Sequence, residues 1–198
     1  MDYLVAGLGN IGSEYSKTRH NMGFMTLDVW AQASNVPFVT SRYGDIAEVP
    51  FKGRRFILLK PSTYMNLSGH AVRYWMQERN IPLENLIVIS DDFNLPFGTL
   101  RMRKGGSSGG HNGLQNIIDC LETDRYARIR MGIGGARFSP GDQVDFVLGD
   151  LSDEELSEIP SLAEKVIQGV KDYAFVGPDR AMNTFNVKPS KPVESEGD

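Results

Sequence analysis

Uninterrupted runs of apolar residues constrain the fold of this chain more than any other feature. Leu86-Ile87-Val88-Ile89 contains no polar residue, and Tyr3-Leu4-Val5-Ala6 before Gly7 is similar. Strands of this kind are buried on both faces, because a half-exposed strand alternates apolar and polar residues. Segments with apolar residues at helical spacing separate the runs. The pattern predicts an α/β fold, a single domain with a central mixed, twisted sheet covered by helices on both faces.

Further strands and helices follow from local signals. Predicted strands cover residues 46–51 and 56–59, paired around the turn Lys52-Gly53-Arg54, and residues 100–103 and 129–133. The first helix contains Phe24, Leu27, Trp30 and Ala31 on one face. Ser68 is the predicted N-cap of a second helix, and Asn112 caps a third over residues 114–121. A late helix contains residues 156–170, with its regular part expected after Pro160.

Length and composition suit one protein domain without disulfides. The 198 residues carry a net charge of −4 and one cysteine, Cys120, so an internal disulfide is excluded. We expect residues 1–187 to form a single catalytic domain and the polar, acidic residues 188–198 to be a flexible tail. The N-terminus has no leader pattern and no window resembles a membrane span, which predicts a cytoplasmic protein.

The charges are distributed unevenly along the chain. Residues 98–138 contain seven basic and three acidic residues, whereas residues 150–198 contain five basic and eleven acidic residues. A locally basic surface on an acidic protein can hold a few phosphates without binding polyanions indiscriminately. An ordinary solvated charged surface is the alternative interpretation.

Polar blocks rich in asparagine and histidine follow the predicted strands. Asn10 follows the first strand and Asp91 follows the Leu86 strand, so both can lie at the carboxyl edge of the sheet, where ligands bind in α/β folds. His20 lies in a polar loop and is the predicted general base, with Asp91 as the carboxylate that orients it and Asp92 as the competing candidate. His70 is expected at the surface or in packing. His111 is expected to cap a helix or contact phosphate.

Other chemistries fit the sequence less well. Gly7-Leu8-Gly9-Asn10-Ile11-Gly12 matches a dinucleotide fingerprint, but residues 13–22 delay the helix that should follow at once, and the expected acidic residue is absent. The glycine-rich segment 105–113 lacks the ending of a phosphate loop, and it is either a connector or a flap over the substrate. No serine elbow follows a strand. The three histidines lack metal-ligand spacing, so we predict no metal.

Together these blocks resemble bacterial peptidyl-tRNA hydrolases, from Tyr3 to about Val187. Each block is only moderately specific, but their succession in one order is very specific. The blocks are Gly7-Leu8-Gly9-Asn10, Thr18-Arg19-His20-Asn21, Tyr64-Met65-Asn66-Leu67-Ser68-Gly69, Asp91-Asp92-Phe93-Asn94-Leu95-Pro96 and Gly109-Gly110-His111-Asn112-Gly113-Leu114.

The resemblance implies a monomeric α/β enzyme that hydrolyses the ester between a peptide and the 3′-terminal ribose of tRNA, without a cofactor. It implies that His20 is the base, that Asp91 supports it, and that Asn10 distinguishes blocked from free aminoacyl groups. Asn66 and Asn112 are implied to bind the reacting end, and either can stabilise the oxyanion. The resemblance further implies tRNA contacts for Tyr15, Tyr64, Arg101, Arg103 and Arg130.

The sequence departs from the family pattern in three places, and two other function classes stay open. Ile11 stands where proline is common, Asn94 where aspartate is common, and Ser107-Ser108 replace a glycine-histidine pair. Loss of a charge at Asn94 is expected to alter the electrostatics around Asp91. A dinucleotide-dependent enzyme and a non-catalytic RNA-binding module are the alternatives.

Overall fold

A single twisted sheet organises the protein. The computed structural model describes residues 1–134, 139 and 141–186, and within them seven strands lie in the order β2-β3-β4-β1-β5-β7-β6. The strands are β1 (Asp2–Gly7), β2 (Val39–Ser41), β3 (Gly44–Phe51), β4 (Arg54–Pro61), β5 (Leu86–Asp92), β6 (Leu100–Arg103) and β7 (Ala127–Gly132).

The sheet is mixed, as predicted. β1 runs parallel to both β4 and β5, and β5 runs parallel to β7. The antiparallel pairs are β2 with β3, β3 with β4, and β6 with β7. The helices are α1 (Met22–Ala33), α2 (Ser68–Glu78), α3 (Asn112–Leu121), α4 (Asp142–Val147), α5 (Asp153–Val176) and α6 (Pro178–Phe185).

Each central strand contributes to two apolar layers because successive side chains point to opposite faces. In β1, Val5 packs in the layer that contains Trp30 of α1 and Val166 of α5. Its neighbour Leu4 packs in the other layer, with Trp75 of α2. Helices on both faces therefore explain why the runs are apolar throughout, and the predicted α/β architecture is confirmed.

The strand order places the functional segments at one edge. The chain places β4 on one side of β1 and β5 on the other, and all three strands are parallel. This change of direction in the strand order is a topological switch point. Gly7 of β1 is in register with Ile89 of β5. Asn10 and Asp91, which follow those two positions, therefore share the carboxyl edge of the sheet. After Gly12 the chain forms short 3-10 turns, and α1 begins only at Met22.

Two local predictions are wrong. α5 is regular on both sides of Pro160, because Ser152 and Glu155 form a capping box that starts the helix earlier, and Pro160 lies on its exposed face. Ser68 is the first residue of α2 and does not cap it. The 3-10 turn Met65–Leu67 continues directly into α2, and the Ser68 hydroxyl donates to the Met65 carbonyl at 2.7 Å.

Some predictions concern residues outside the described ranges. These are the tail over residues 188–198, its junction at Val187, and Arg137 of the basic stretch. Among the described helices, none has the length and apolarity that crossing a membrane requires.

Candidate active site

A histidine and a carboxylate meet at the carboxyl edge of the sheet. His20 lies in the 3-10 turn Arg19–Asn21, immediately before α1, and Asp91 lies near the end of β5. The Nδ1 atom of His20 is 2.9 Å and 2.8 Å from the two carboxylate oxygens of Asp91. Asp91 is 1% exposed and His20 is 9% exposed. The contact fixes the ring with Nδ1–H donating to the carboxylate, which leaves Nε2 available as an acceptor.

A second histidine contacts the same carboxylate. The Nε2 atom of His111 lies 2.9 Å from Oδ1 of Asp91, and the His20 and His111 rings are 4.9 Å apart between centroids. The Nδ1 atom of His111 accepts hydrogen bonds from the backbone N–H groups of Gly113 and Leu114, at 3.1 Å and 3.3 Å. Because Nδ1 accepts, the proton of neutral His111 is on Nε2 and points to Asp91.

The electrostatics of the pair favour a charged carboxylate and a more basic imidazole. Burial lowers the pKa of His20, but the charge of Asp91 and its hydrogen bond raise it by more, so this pKa lies above its ordinary value of 6.5. Burial raises the pKa of Asp91, yet the charges of His20 and His111 and their hydrogen bonds hold it well below its usual range. Asp91 is therefore ionised whenever His20 acts as a base.

Asp92, the competing candidate, faces elsewhere. Its carboxylate accepts a hydrogen bond from the backbone N–H of Asn94 at 2.8 Å and lies 3.7 Å from the guanidinium of Arg130. Successive residues of a strand point to opposite faces, so only one of the two aspartates can meet His20.

Asn10 is held in a fixed orientation by Asn21, the residue that follows His20. The side chain of the buried residue Asn21 accepts from the backbone N–H of Asn10 at 2.8 Å and donates to its carbonyl at 2.9 Å. The side-chain oxygen of Asn10 accepts from the backbone N–H of Met65 at 3.1 Å. Among the described residues no partner occupies the side-chain NH₂ of Asn10, so this group offers donors only.

Asn66 and Asn112 are brought to the same neighbourhood by two packed turns. Both side chains are exposed, and neither makes a hydrogen bond within the described part of the chain. Gly113, next to Asn112, allows a close approach: a Cβ there would lie 2.6 Å from the sulfur of Met65, the neighbour of Asn66. A larger residue at position 113 would therefore separate the two asparagines.

A cleft of about 280 Å³ opens beside the base. Its polar side contains His20, His111, Asn112 and Gln143, and its apolar side contains Phe93, Val144 and Val147. Val144 of α4 is 57% exposed although it lies next to His20. The cleft can therefore accept an uncharged, partly apolar group at the basic nitrogen.

The donor set has the composition of a metal site but is satisfied without an ion. His20, Asp91 and His111 each offer one ligand atom, all within 4.8 Å of one another. These atoms already face one another through the histidine protons, which a metal ion would have to displace. The absence of a metal requirement stays a prediction.

Comparison with known proteins identifies the family. The family model described as peptidyl-tRNA hydrolase matches residues 4–194 of the 198. The chain belongs to the peptidyl-tRNA hydrolase family. The peptidyl-tRNA hydrolase of Cytophaga hutchinsonii is 56% identical over 188 residues, covering 95% of this chain and 100% of the relative. That of Bacteroides fragilis is 54% identical over the same lengths of the two chains.

Solved structures of peptidyl-tRNA hydrolases share the fold. The crystal structure of the enzyme from Acinetobacter baumannii superimposes with a TM-score of 0.86 at 32% identity, covering 93% of this chain and 94% of that one. A peptidyl-tRNA hydrolase in complex with N-propanol gives a TM-score of 0.87 at 31% identity, covering 96% of each chain.

The arginines for which the resemblance to peptidyl-tRNA hydrolases implied tRNA contacts lie together on the β6–β7 side of the sheet. Arg101 of β6 is directly opposite Arg130 of β7, and Arg103 is on the same face of β6 as Arg101. Arg103 is exposed, and Arg101 is partly exposed. Arg128, which sequence analysis counted only within the basic stretch, is fully buried and donates to the carbonyls of Ser107 and Asp124.

The two tyrosines that were predicted to contact tRNA differ in solvent exposure. Tyr64 is 73% exposed and precedes the turn that carries Asn66. Tyr15 is partly buried and ends the 3-10 turn Ser13–Tyr15 that follows the Asn10 segment. Both therefore lie on segments that lead directly into the candidate site.

The glycine-rich segment 105–113 is tied to the sheet at several points. The guanidinium of Arg130 donates to the Ser107 carbonyl at 2.6 Å, and the side chain of Asn94 donates to the Gly109 carbonyl at 3.1 Å. An aspartate at position 94 could not donate this hydrogen bond. The departure at Asn94 thus adds a link between the turn that follows β5 and the segment that positions Asn112.

Sequence analysis offered both Asn112 and His111 as helix caps, and it missed three residues that contribute to the site. His111, and not Asn112, occupies the cap, because its ring accepts two backbone N–H bonds. Asn21, Met65 and Val144 also build the site. Asn21 and Met65 carried a signal, since they lie in the same polar blocks as His20 and Asn66, whereas Val144 carried none. His70 is exposed on α2, as predicted.

Proposed function

We propose that this chain hydrolyses the ester between a peptide and the 3′-terminal ribose of tRNA, as a monomer and in the cytoplasm where translation releases such substrates. One observation carries the assignment of roles: the Nδ1 atom of His20 contacts both oxygens of the buried Asp91, while its Nε2 has no partner among the described residues. Family membership supports the substrate class.

The reaction begins with His20 as general base. Its neutral Nε2 takes a proton from a water molecule as that water attacks the ester carbonyl, and Asp91 stabilises the resulting imidazolium. The carbonyl becomes a tetrahedral oxyanion. On collapse, the carbon–oxygen bond to the ribose breaks, and the imidazolium returns its proton to the departing ribose oxygen. The net change is addition of one water molecule across the ester.

Asparagine amides stabilise the negative charge that develops. Asn112 lines the cleft with His20, and Asn66 is held nearby through the packing of Met65 against Gly113. Either amide can donate to the oxyanion, and a donor of this kind contributes roughly 10²–10³ in rate. Asn112 is the better placed of the two, because it shares the cleft with the base.

Asn10 supplies selectivity for blocked amino groups. Its free NH₂ can donate to the carbonyl of the peptide bond on the terminal residue of the substrate. A free aminoacyl group has an ammonium in place of that amide, which cannot accept a hydrogen bond and is poorly solvated among neutral donors. The arginines on β6 and β7 hold phosphates without reading the sequence.

The test compares N-acetylalanyl-tRNA with free alanyl-tRNA, using the parent protein and His20→Ala. We expect the parent protein to hydrolyse the acetylated substrate, and His20→Ala to lose activity by about 10²–10⁴-fold while still binding tRNA. Equal activity of the two proteins would remove His20 from the mechanism. Binding of tRNA without ester cleavage by the parent protein would instead indicate an RNA-binding module.

A further inference from the structure

A second cleft, also of about 280 Å³, is lined by Asn10 and Asn21 and shares no lining residue with the cleft that contains His20. We call it the α1 cleft. Asn10 and Asn21 form its end near the base, Phe24 forms part of its wall, and Asp28, Asp45 and Lys60 form its charged part. The hydrolytic steps described above use only the Asn10 end, so the function of the remainder is open.

The α1 cleft adjoins the reacting centre through Asn10 and Asn21. Asn21 follows His20 directly in the chain, and its side chain holds the backbone of Asn10 through two hydrogen bonds. Asn10 is the residue that offers donors to the amide of the esterified amino acid. A chain that continues beyond that amide therefore meets the α1 cleft next.

The wall of the cleft is partly apolar. Phe24 packs closely on the backbone at Gly9, where an added Cβ would lie 2.6 Å from the aromatic ring. The ammonium of Lys60 lies 4.2 Å from the ring centroid of Phe38 and 5.7 Å from that of Phe24. An apolar wall of this kind tolerates side chains of different kinds.

The charged part of the cleft carries one excess negative charge. Lys60 pairs with Asp28 at 2.6 Å. Asp45 lies opposite Lys60 across β3 and β4, and in the described ranges no lysine or arginine comes within ion-pair distance of its carboxylate. Two carboxylates against one ammonium attract a cation and repel a phosphate.

The sheet separates this cleft from the basic surface. Lys60 and Asp45 lie on β4 and β3, whereas Arg130 lies on β7, and β1 and β5 stand between. At about 4.8 Å per strand, β4 and β7 are roughly 14 Å apart. An ester substrate has an acyl part and a polyanionic alcohol part. Charge complementarity directs the tRNA to the arginines and leaves the α1 cleft to the peptide.

We infer that the α1 cleft binds the peptide part of the substrate beyond the esterified residue and favours a cationic group, such as a free amino terminus, at its far end. This inference rests on the proposed function. Asp28 lies on α1, seven residues after Asn21, which directly precedes that helix, and this is about 10 Å at 1.5 Å per residue. An extended chain covers that distance in about three residues.

The experiment uses tRNA that carries tetra-alanine with a free amino terminus, N-acetylated tetra-alanine or N-acetylalanine. The double variant Asp28→Asn with Asp45→Asn changes the local charge from −1 to +1 without changing side-chain volume. We expect the ratio of kcat/KM for the free over the acetylated tetrapeptide to fall about five- to tenfold. Lys60→Met removes the opposite charge, and we expect the same ratio to rise by about two- to fivefold.

Glu164→Gln, which removes one exposed carboxylate on α5, is the control for lost negative charge outside the cleft and should leave the ratio unaltered. A ratio that is unaltered in both cleft variants would overturn the inference. An equal fall with all three substrates would also overturn it, since that result would place the terminal nucleoside in the cleft. Failure of the proposed function is distinguishable, because the parent protein would then hydrolyse none of the three substrates.

Discussion

Asp91 accepts hydrogen bonds from two histidines at once: Nδ1 of His20 lies 2.8 Å from one of its oxygens, and Nε2 of His111 lies 2.9 Å from the other. Because His111 also caps α3, the carboxylate that orients the base is tied to the helix that begins with Asn112. The base and one candidate oxyanion donor are thereby linked through a single buried carboxylate.

The first prediction concerns pH. His20 must be neutral to accept a proton, and its pKa lies above 6.5 because of Asp91. We therefore expect kcat/KM to rise with pH through one ionisation with a midpoint above 6.5. In Asp91→Asn the midpoint should move below 6.5, because burial then dominates, and kcat should fall. Unchanged midpoints in pH profiles on N-acetylalanyl-tRNA would contradict the role of Asp91.

The raised pKa of His20 also affects how the unfolding free energy depends on pH. A raised folded-state pKa means that the protonated form of His20 is favoured by folding, so this contribution is fully present below pH 6.5 and is lost as pH rises through the folded pKa. We expect the unfolding free energy of His20→Gln to depend less on pH above 6.5 than that of the parent protein, because the variant lacks this titrating group. Urea denaturation at several pH values measures it.

A second prediction separates the two bonds of His111. Asparagine is a good N-cap but is too short to replace the imidazole contact with Asp91. His111→Ala loses both interactions, and we expect it to reduce the unfolding free energy by about 2–4 kcal/mol. His111→Asn should recover about 1 kcal/mol of this loss. We expect kcat to be lower than in the parent protein in both variants, because neither retains the contact with Asp91. Full recovery of kcat in His111→Asn would show that only the cap matters.

Asn10→Asp tests the donor role of the amide. The aspartate can still accept from the N–H of Met65 but offers no donor to the substrate. We expect kcat/KM for N-acetylalanyl-tRNA to fall by about 10- to 100-fold. Hydrolysis of free alanyl-tRNA should fall less, because the carboxylate attracts its ammonium.

The matched control for that change is Asn80→Asp, an exposed position just beyond the end of α2 that already has a positive φ of 49°. It should leave the preference for acetylated substrate as in the parent protein. If Asn10→Asp also left that preference intact, discrimination would reside elsewhere in the site.

The basic surface predicts a salt effect. Replacing Arg101 and Arg103 by glutamine removes two phosphate contacts, so the slope of log kcat/KM against log salt concentration should become shallower by about 1–2 units. N-acetylalanyl-adenosine, which lacks the tRNA body, should be hydrolysed at the parental rate. Lys165→Gln, exposed on α5, is the control for lost charge. A parental slope in the double variant would remove this surface from tRNA binding.

The sequence by itself determined the sheet, its two covered faces and the edge at which the site lies. Continuous runs such as Leu86-Ile87-Val88-Ile89 can be buried only between two layers, and strand ends dictate where Asn10 and Asp91 emerge. Local signals near helix ends were less informative. The prediction at Ser68 was wrong because a 3-10 turn runs directly into α2. The prediction at Pro160 was wrong because a capping box starts α5 before the proline.

Only the tertiary structure decided which groups pair. From the sequence, Asp91 and Asp92 were both candidates for the partner of His20. In the structure, the pleat of β5 turns Asp91 toward His20 and Asp92 away from it. The sequence also assigned His111 no carboxylate partner, since residues 91 and 111 are brought together only by the folding of the chain. Pairings over such separations depend on packing between elements and on burial, which no short window of sequence encodes.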